Sequence, residues 1–267
     1  MEDENLFEIK NLSFYYGRKK AVDNISLTIE KGYFWGIIGP NGSGKTTLLD
    51  IMIGYRKAYS GSIRYKGKEI SGYKRKELSK EISLVPQEFY TNIPFTVKEI
   101  VFMGRYPYIP RFSSASDSDI EKVDYVMKLL ELNELKDRYI TELSGGEKQR
   151  VIFARALAQD TPVMLLDEAT SNMDIKHTLK VLDILTGRVR KEKKTVISTM
   201  HDINLAALYS DKLIVMKEGK IIASGDTDRV LNEETLKKAF EVDCDVYEER
   251  YSKKKQVLFK RGICISH

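Results

Sequence analysis

The sequence predicts an α/β fold, with a mainly parallel sheet covered by helices, an antiparallel β flank at the start and an inserted helical subdomain. Three observations carry this expectation. An apolar run at 33–38 passes through a glycine-rich turn into a helix-forming stretch at 46–53, which reads as strand, loop and helix. Compact apolar or β-branched runs at 163–166, 195–198 and 213–216 are separated by stretches of helical length, the pattern of a buried parallel sheet. Between Gln87 and Asp160 the periodicity is helical and no strand pattern stands out.

Taken in order, residues 7–14 and 25–29 alternate apolar and polar side chains and predict half-buried antiparallel strands. The segment 33–53 follows as the strand–loop–helix unit. Helical periodicity then marks 97–103, 118–132 and 147–158, so the helical subdomain is expected at 88–159 and the core at 1–87 and 160–267. After Gly225 the pattern predicts a helix around 233–240 and short strands near Val246 and Val257. No internal repeat or low-complexity linker interrupts it.

Composition bounds the class. The chain has 267 residues, 42% hydrophobic and 31% charged, which is ordinary for a soluble globular protein with a substantial core. No apolar stretch approaches the roughly 18 to 20 residues that cross a bilayer, and the first ten residues are too acidic for a secretory signal. A cytosolic chain is expected. Cys244 and Cys264 lack metal-type spacing and read as ordinary thiols. The net charge of +5 comes from scattered Lys and Arg, with short runs at 191–194 and 253–255 that read as solvated faces, so no nucleic-acid partner is expected.

Residues 39–47 spell GPNGSGKTT, which fits G-x-x-x-x-G-K-[ST] at Gly39, Gly44, Lys45 and Thr46. Pro40, Asn41, Gly42 and Ser43 complete the turn, and Thr47 continues the helix. Small residues let backbone N–H groups close around phosphate oxygens, Lys45 neutralises terminal phosphates, and the Thr46 hydroxyl is placed for Mg²⁺. The helix starting there adds its positive end. This is a P-loop NTPase pattern, whose competing reading is a plain tight glycine turn.

A second nucleotide motif follows. In VMLLDEAT, the apolar residues 163–166 deliver Asp167 and Glu168 to the end of a buried strand. Ligands of open α/β sheets bind beyond the carboxyl ends of strands, so Asp167 can serve the metal and Glu168 an attacking water.

With LSGGE at 143–147, Gln87 and His201 in the expected order, the sequence resembles the ATP-binding cassette (ABC) family over nearly its whole length. The resemblance implies a RecA-like core, an ATP-hydrolysing activity with ATP and Mg²⁺, and further roles. Tyr16 matches the aromatic that stacks on adenine, worth roughly 1–3 kcal/mol by analogy with base stacking; Tyr15 is the competing candidate. Gln87 matches the glutamine that senses Mg²⁺ and the attacking water, and His201 the histidine at the γ-phosphate. Ser144, Gly145 and Gly146 match the signature that closes over the ATP of another subunit, implying a head-to-tail homodimer with two composite sites. The chain departs from the family at Ala169, where Pro is usual, and at 171–174, where S-A-L-D is common. Both departures bear on communication between subunits and leave the phosphate, metal and base positions intact.

The stretch Gly104, Arg105, Tyr106 and Pro107 resembles ATPase subunits of importers for iron-siderophores, haem and cobalamin. That resemblance implies a peripheral protein on the cytoplasmic face of the membrane, integral permease subunits as partners and, through them, an extracytoplasmic binding protein. A helix end made by Pro107 is the simpler reading of the stretch. His177 fits the same subfamily pattern, with a surface-helix role as its alternative. Another ABC importer, an exporter or a soluble ABC ATPase remain the competing functions.

Overall fold

The computed structural model describes residues 5–260. In chain order the strands are β1 (Asn5–Tyr16), β2 (Lys19–Glu30), β3 (Phe34–Ile38), β4 (Ser60–Tyr65), β5 (Lys68–Glu69), β6 (Ile82–Val85), β7 (Val163–Asp167), β8 (Thr195–Thr199), β9 (Lys212–Lys217), β10 (Lys220–Asp226), β11 (Cys244–Glu248) and β12 (Lys255–Phe259). The helices are α1 (Lys45–Met52), α2 (Arg75–Glu81), α3 (Val97–Phe102), α4 (Asp117–Leu129), α5 (Gly145–Gln159), α6 (Ile175–Glu192), α7 (Ile203–Tyr209), α8 (Thr227–Val230) and α9 (Glu233–Phe240). Two compact units result, Met1–Gly72 with Ile197–His267, and Tyr73–Val196.

In the first unit, alternation along β1 and β2 does what the pattern predicts. The strands pair antiparallel with Phe7 opposite Ile29, Ile9 opposite Leu27 and Leu12 opposite Ile25, all buried. β4 and β5 extend this sheet to the order β2-β1-β4-β5. A second run of strands, β10-β9-β3-β8, contributes Ile197 to Thr199 of β8 to this unit. Here β3 pairs parallel with β9, Ile37 opposite Ile214, and all five residues of β3 are buried. Asp23 N–H donates to Gly219 O at 2.8 Å and Gly219 N–H to Ser43 O at 3.0 Å, so the flank, the β9–β10 turn and the loop after β3 are bonded in series. The β11–β12 hairpin is held to α7 by the Asn204 amide, which accepts from Val257 N–H at 2.7 Å and donates to Val257 O at 3.2 Å. Cys244 is a buried free thiol, and Cys264 lies outside the described residues.

In the second unit β6 and β7 run parallel in the register Ile82–Val163 to Val85–Leu166. The helical insertion lies between them in the chain and contains α3, α4 and α5, with only an isolated bridge, Thr96–Tyr139, as strand pairing among its described residues. Its helices are defined at the residue level by capping boxes at Thr96, Ser116 and Ser144, each with an acidic residue three positions on. The packing is close: a Cβ on Gly104 would lie 2.3 Å from Arg155 O of α5. Arg105 turns inward, donating to Asp119 at 2.8 Å and to Ala158 O at 2.7 Å, while Tyr106 stays exposed. Thus Gly104 and Arg105 of the importer-like stretch are packing residues, and Tyr106 is its exposed aromatic. No helix among the described residues is long and apolar enough to cross a membrane.

Candidate active site

The chain leaves the buried end of β3 into the glycine loop and enters α1 at Lys45. Gly39 has φ 155°, and a Cβ there would meet Met216 O at 2.1 Å; Gly44 has φ 101°, and a Cβ there would meet Ala21 O at 2.3 Å. Both positions require glycine because backbone crosses backbone at contact distance. Lys45 is buried, and its ammonium donates to Gly39 O at 2.9 Å and Pro40 O at 3.2 Å. Ser43 Oγ is buried with no hydrogen-bond partner among the described residues. Pro40 is half-buried, Asn41, Gly42 and Thr46 are exposed, and Thr47 is buried with its Oγ1 3.4 Å from Tyr16 Oη. Gly44 is the N-cap of α1, so no side chain caps that helix, unlike α5, α6 and α7. A backbone cradle, a buried ammonium, an orphaned hydroxyl and a helix N-terminus without a side-chain cap fit a polyphosphate.

Tyr16 ends β1 with 43% of its surface exposed. Tyr15 is instead engaged by Tyr59, edge-on at 5.1 Å, and by the Lys20 ammonium at 5.4 Å. His201 follows β8 and is exposed; Met200 N–H donates to Ile37 O at 3.0 Å, which brings this segment to the end of β3. Tyr16, the loop and His201 are therefore all carried by the first unit.

The second unit assembles the acidic pair. Because β6 and β7 are parallel and in register, Gln87 beyond β6 and Glu168 beyond β7 emerge at the same end, and Gln87 Nε2 donates to Glu168 Oε2 at 2.6 Å. Asp167 is buried at the last position of β7, and Glu168 has φ 47°, a left-handed turn that directs the chain out of the strand. Gln149 of α5 braces the glutamine loop by donating to Pro86 O at 3.3 Å.

Ser144 caps α5. Its Oγ donates to Glu147 Oε2 at 2.7 Å and accepts from Glu147 N–H at 3.4 Å, while Ser144 N–H donates to the same carboxylate oxygen at 2.8 Å. These bonds, the Ser144 hydroxyl foremost, hold the Glu147 carboxyl below its ordinary pKa. Ser144 and Gly145 are exposed and Gly146 is half-buried. Ala169 is buried, and Asp174 caps α6, accepting from His177 N–H at 2.9 Å and pairing with His177 Nδ1 at 2.7 Å. His177 is thus tied to its own helix start. The spacing of Ser144 and Glu147 is a capping signal legible in sequence, whereas the contacts of Gln149 with Pro86, and of Arg56 with Tyr16, carry no motif.

A polyphosphate loop at a helix N-terminus, in an α/β fold with an acid–amide pair at the ends of parallel strands, defines a nucleoside triphosphatase. The sequence profile of the ABC transporter family matches residues 22–171. The chain belongs to that family and is an ATP-hydrolysing cassette. It is 35% identical over 237 residues to the petrobactin import ATP-binding protein YclP of Bacillus subtilis, covering 89% of this chain and 93% of that one. It is 35% identical over 240 residues to the ferric enterobactin transport ATP-binding protein FepC of Escherichia coli, covering 90% and 89%. Among solved structures, an inward-facing metal-chelate type ABC transporter aligns over 97% of this chain and 98% of that one, with a TM-score of 0.82 and 28% identity. The dimeric cassette MJ0796 in a post-hydrolysis state bound to ADP and Pi aligns over 83% and 99%, with a TM-score of 0.74 and 29% identity.

Proposed function

We propose that this cassette powers import of a metal-chelate or cobalamin-type substrate. In this reading it works as a head-to-tail homodimer docked on integral membrane permease subunits, peripheral to the cytoplasmic face of the membrane. Cargo reaches those permeases from an extracytoplasmic binding protein. Support comes from relatives named for import of petrobactin, iron(3+)-hydroxamate and cobalamin. An exporter cassette also aligns, with a TM-score of 0.75 and 26% identity, as the cassette fold is shared by both directions of transport. The core is assigned to 1–87 and 160–267 and the signature subdomain to 88–159.

The observation that carries the mechanism is the pairing of Gln87 with Glu168. Glu168 orients the attacking water and accepts its proton, and Gln87 fixes the carboxylate by donating to one of its oxygens. Lys45 and the loop N–H groups from Gly39 to Thr47 bind the phosphates, Ser43 Oγ finds its acceptor there, and His201 contacts the terminal phosphate. Tyr16 stacks on the base. Thr46, Asp167 and Gln87 would hold Mg²⁺, which when bound draws off charge from the terminal phosphates. Ser144, Gly145 and Gly146 present the N-terminus of α5 to the nucleotide of a second chain. Positioning and electrostatics supply most of the acceleration.

Glu168→Gln tests this. A positioned base is worth about 10²–10⁴ in rate, so the variant is expected to bind ATP with near-native affinity and lose that factor in turnover. Hydrolysis at the native rate would sink the assignment.

A further inference from the structure

Beyond the phosphate loop, the turn after α1 carries a cation, Arg56, that no motif accounts for. The chain turns at the end of the helix, Tyr55 N–H and Arg56 N–H both reaching Asp50 O at 2.9 and 3.2 Å. Arg56 Nε donates to the Asp50 carboxylate at 2.7 Å, which tethers the guanidinium to the helix. Arg56 Cζ then lies 4.8 Å from the centre of the Tyr16 ring, and 5.8 and 5.7 Å from those of Phe14 and Tyr55. Phe14 meets Tyr16 edge-on at 5.0 Å. At the other end of the ring, Tyr16 Oη is 3.4 Å from Thr47 Oγ1. The tyrosine is therefore held by its hydroxyl, its edge and the guanidinium, while 43% of its surface stays open.

We propose that Arg56 is a positioning residue for the nucleotide base: tethered by Asp50, it fixes the Tyr16 ring in the orientation that receives a purine, and it acts on the base through that ring rather than on the phosphates. This rests on the base-stacking reading of Tyr16. The guanidinium is engaged by the Asp50 carboxylate and the rings of Phe14, Tyr16 and Tyr55, so its contacts are with the base-stacking aromatic and its neighbours and not with the loop before Lys45 that receives the phosphates. A planar guanidinium on an aromatic ring is favourable and restricts the ring's rotation, so less ordering remains when a base arrives. Stacking reads area rather than hydrogen-bonding edges, so the device favours purine over pyrimidine nucleotides without separating adenine from guanine.

The test is equilibrium titration of the full chain with MgADP, which is not turned over, and with magnesium pyrophosphate, which has no base. Arg56→Ala is expected to weaken ADP about threefold to tenfold and to leave pyrophosphate unchanged, and Arg56→Lys to recover part of the loss. The Arg56–Asp50 pair is partly exposed, so the melting temperature should stay nearly constant. In a Tyr16→Ala background, Arg56→Ala should have no further effect, because the ring it acts through is gone. Unchanged ADP affinity in Arg56→Ala, an equal loss for pyrophosphate, or full additivity with Tyr16→Ala each overturns the proposal. If Tyr16→Ala leaves ADP binding unchanged, the base-stacking reading falls with it. If Tyr16→Ala weakens ADP and Arg56→Ala does not, only the role of Arg56 is lost.

Discussion

Gly39 and Gly145 stand in two glycine motifs of the chain, yet the fold asks different things of them. A Cβ on Gly39 would overlap Met216 O at 2.1 Å, and backbone cannot yield as a side chain can. Gly39→Ala is therefore expected to destabilise the chain by about 1–3 kcal/mol in urea unfolding and to abolish ATP binding. A Cβ on Gly145 would meet nothing within 4 Å, so the single chain gives no reason for glycine there. Gly145→Ala should keep the native melting temperature and native ATP binding, while steady-state hydrolysis falls about tenfold or more, the size of losing one transition-state contact. Native hydrolysis by this variant would remove Gly145 from the shared site. The motif residues were legible in sequence because a loop that wraps phosphate draws on neighbouring positions. Arg56 was not, because its partner Tyr16 lies on a different strand and a cation over a ring leaves no fixed spacing.

At the scale of elements, Asp160 joins three helices. It occupies the left-handed C-cap of α5 with φ 54° and is paired with Lys122 of α4 at 2.6 Å, with Arg188 of α6 and with Lys194 beyond α6. Burial alone would raise its pKa, but hydrogen bonds from Lys122 and Lys194 and the charges of Lys194 and Arg188 outweigh that and hold the carboxyl well below its ordinary range. Asn tolerates the same backbone, so Asp160→Asn isolates the charge. The expected loss is about 1–3 kcal/mol at neutral pH, below the fully buried limit because the side chain is 30% exposed. A depressed pKa stabilises above the unfolded value and ceases to do so as pH falls through the folded one. The advantage over the variant should thus be full at pH 7 and shrink below about pH 4. Urea midpoints of both chains across that range check the sign, and a constant gap would show that the charge is not the cause. This junction was invisible in sequence, whereas β3, β7, β8 and β9 stood out as buried runs. β6 and β10 were missed for local reasons. β6 has four residues and buries Ser83 against the Thr161 hydroxyl at 2.9 Å, and β10 is an antiparallel edge of alternating exposure in which no residue is fully buried.

Considered whole, the chain presents a phosphate loop on one unit and, on the other, a signature whose Ser144 hydroxyl and Glu147 carboxylate already satisfy each other. Ser144 and Gly145 are exposed at the start of a 15-residue helix, and in the shared-site proposal this N-terminus meets the nucleotide of a second chain. The family was legible because these motifs are contiguous; the cargo was not, because in an importer the transported molecule meets the binding protein and the permease rather than the ATPase. The shared-site proposal predicts that ATP is the ligand that joins two chains, since each nucleotide would be held from both sides and stabilise only the closed pair. Glu168→Gln, which is expected to bind without turnover, should pass from monomer to dimer on adding MgATP in light scattering, and return to monomer with MgADP. Adding Gly145→Ala to it should shift the dimer midpoint to higher protein concentration without changing ATP binding by the monomer. In the native chain the rate should rise sigmoidally with ATP, with a Hill coefficient above 1 and at most 2, because two sites close together. A Glu168→Gln chain that stays monomeric with MgATP, even with its permease supplied, would leave each half-site without its partner and overturn the head-to-tail assembly.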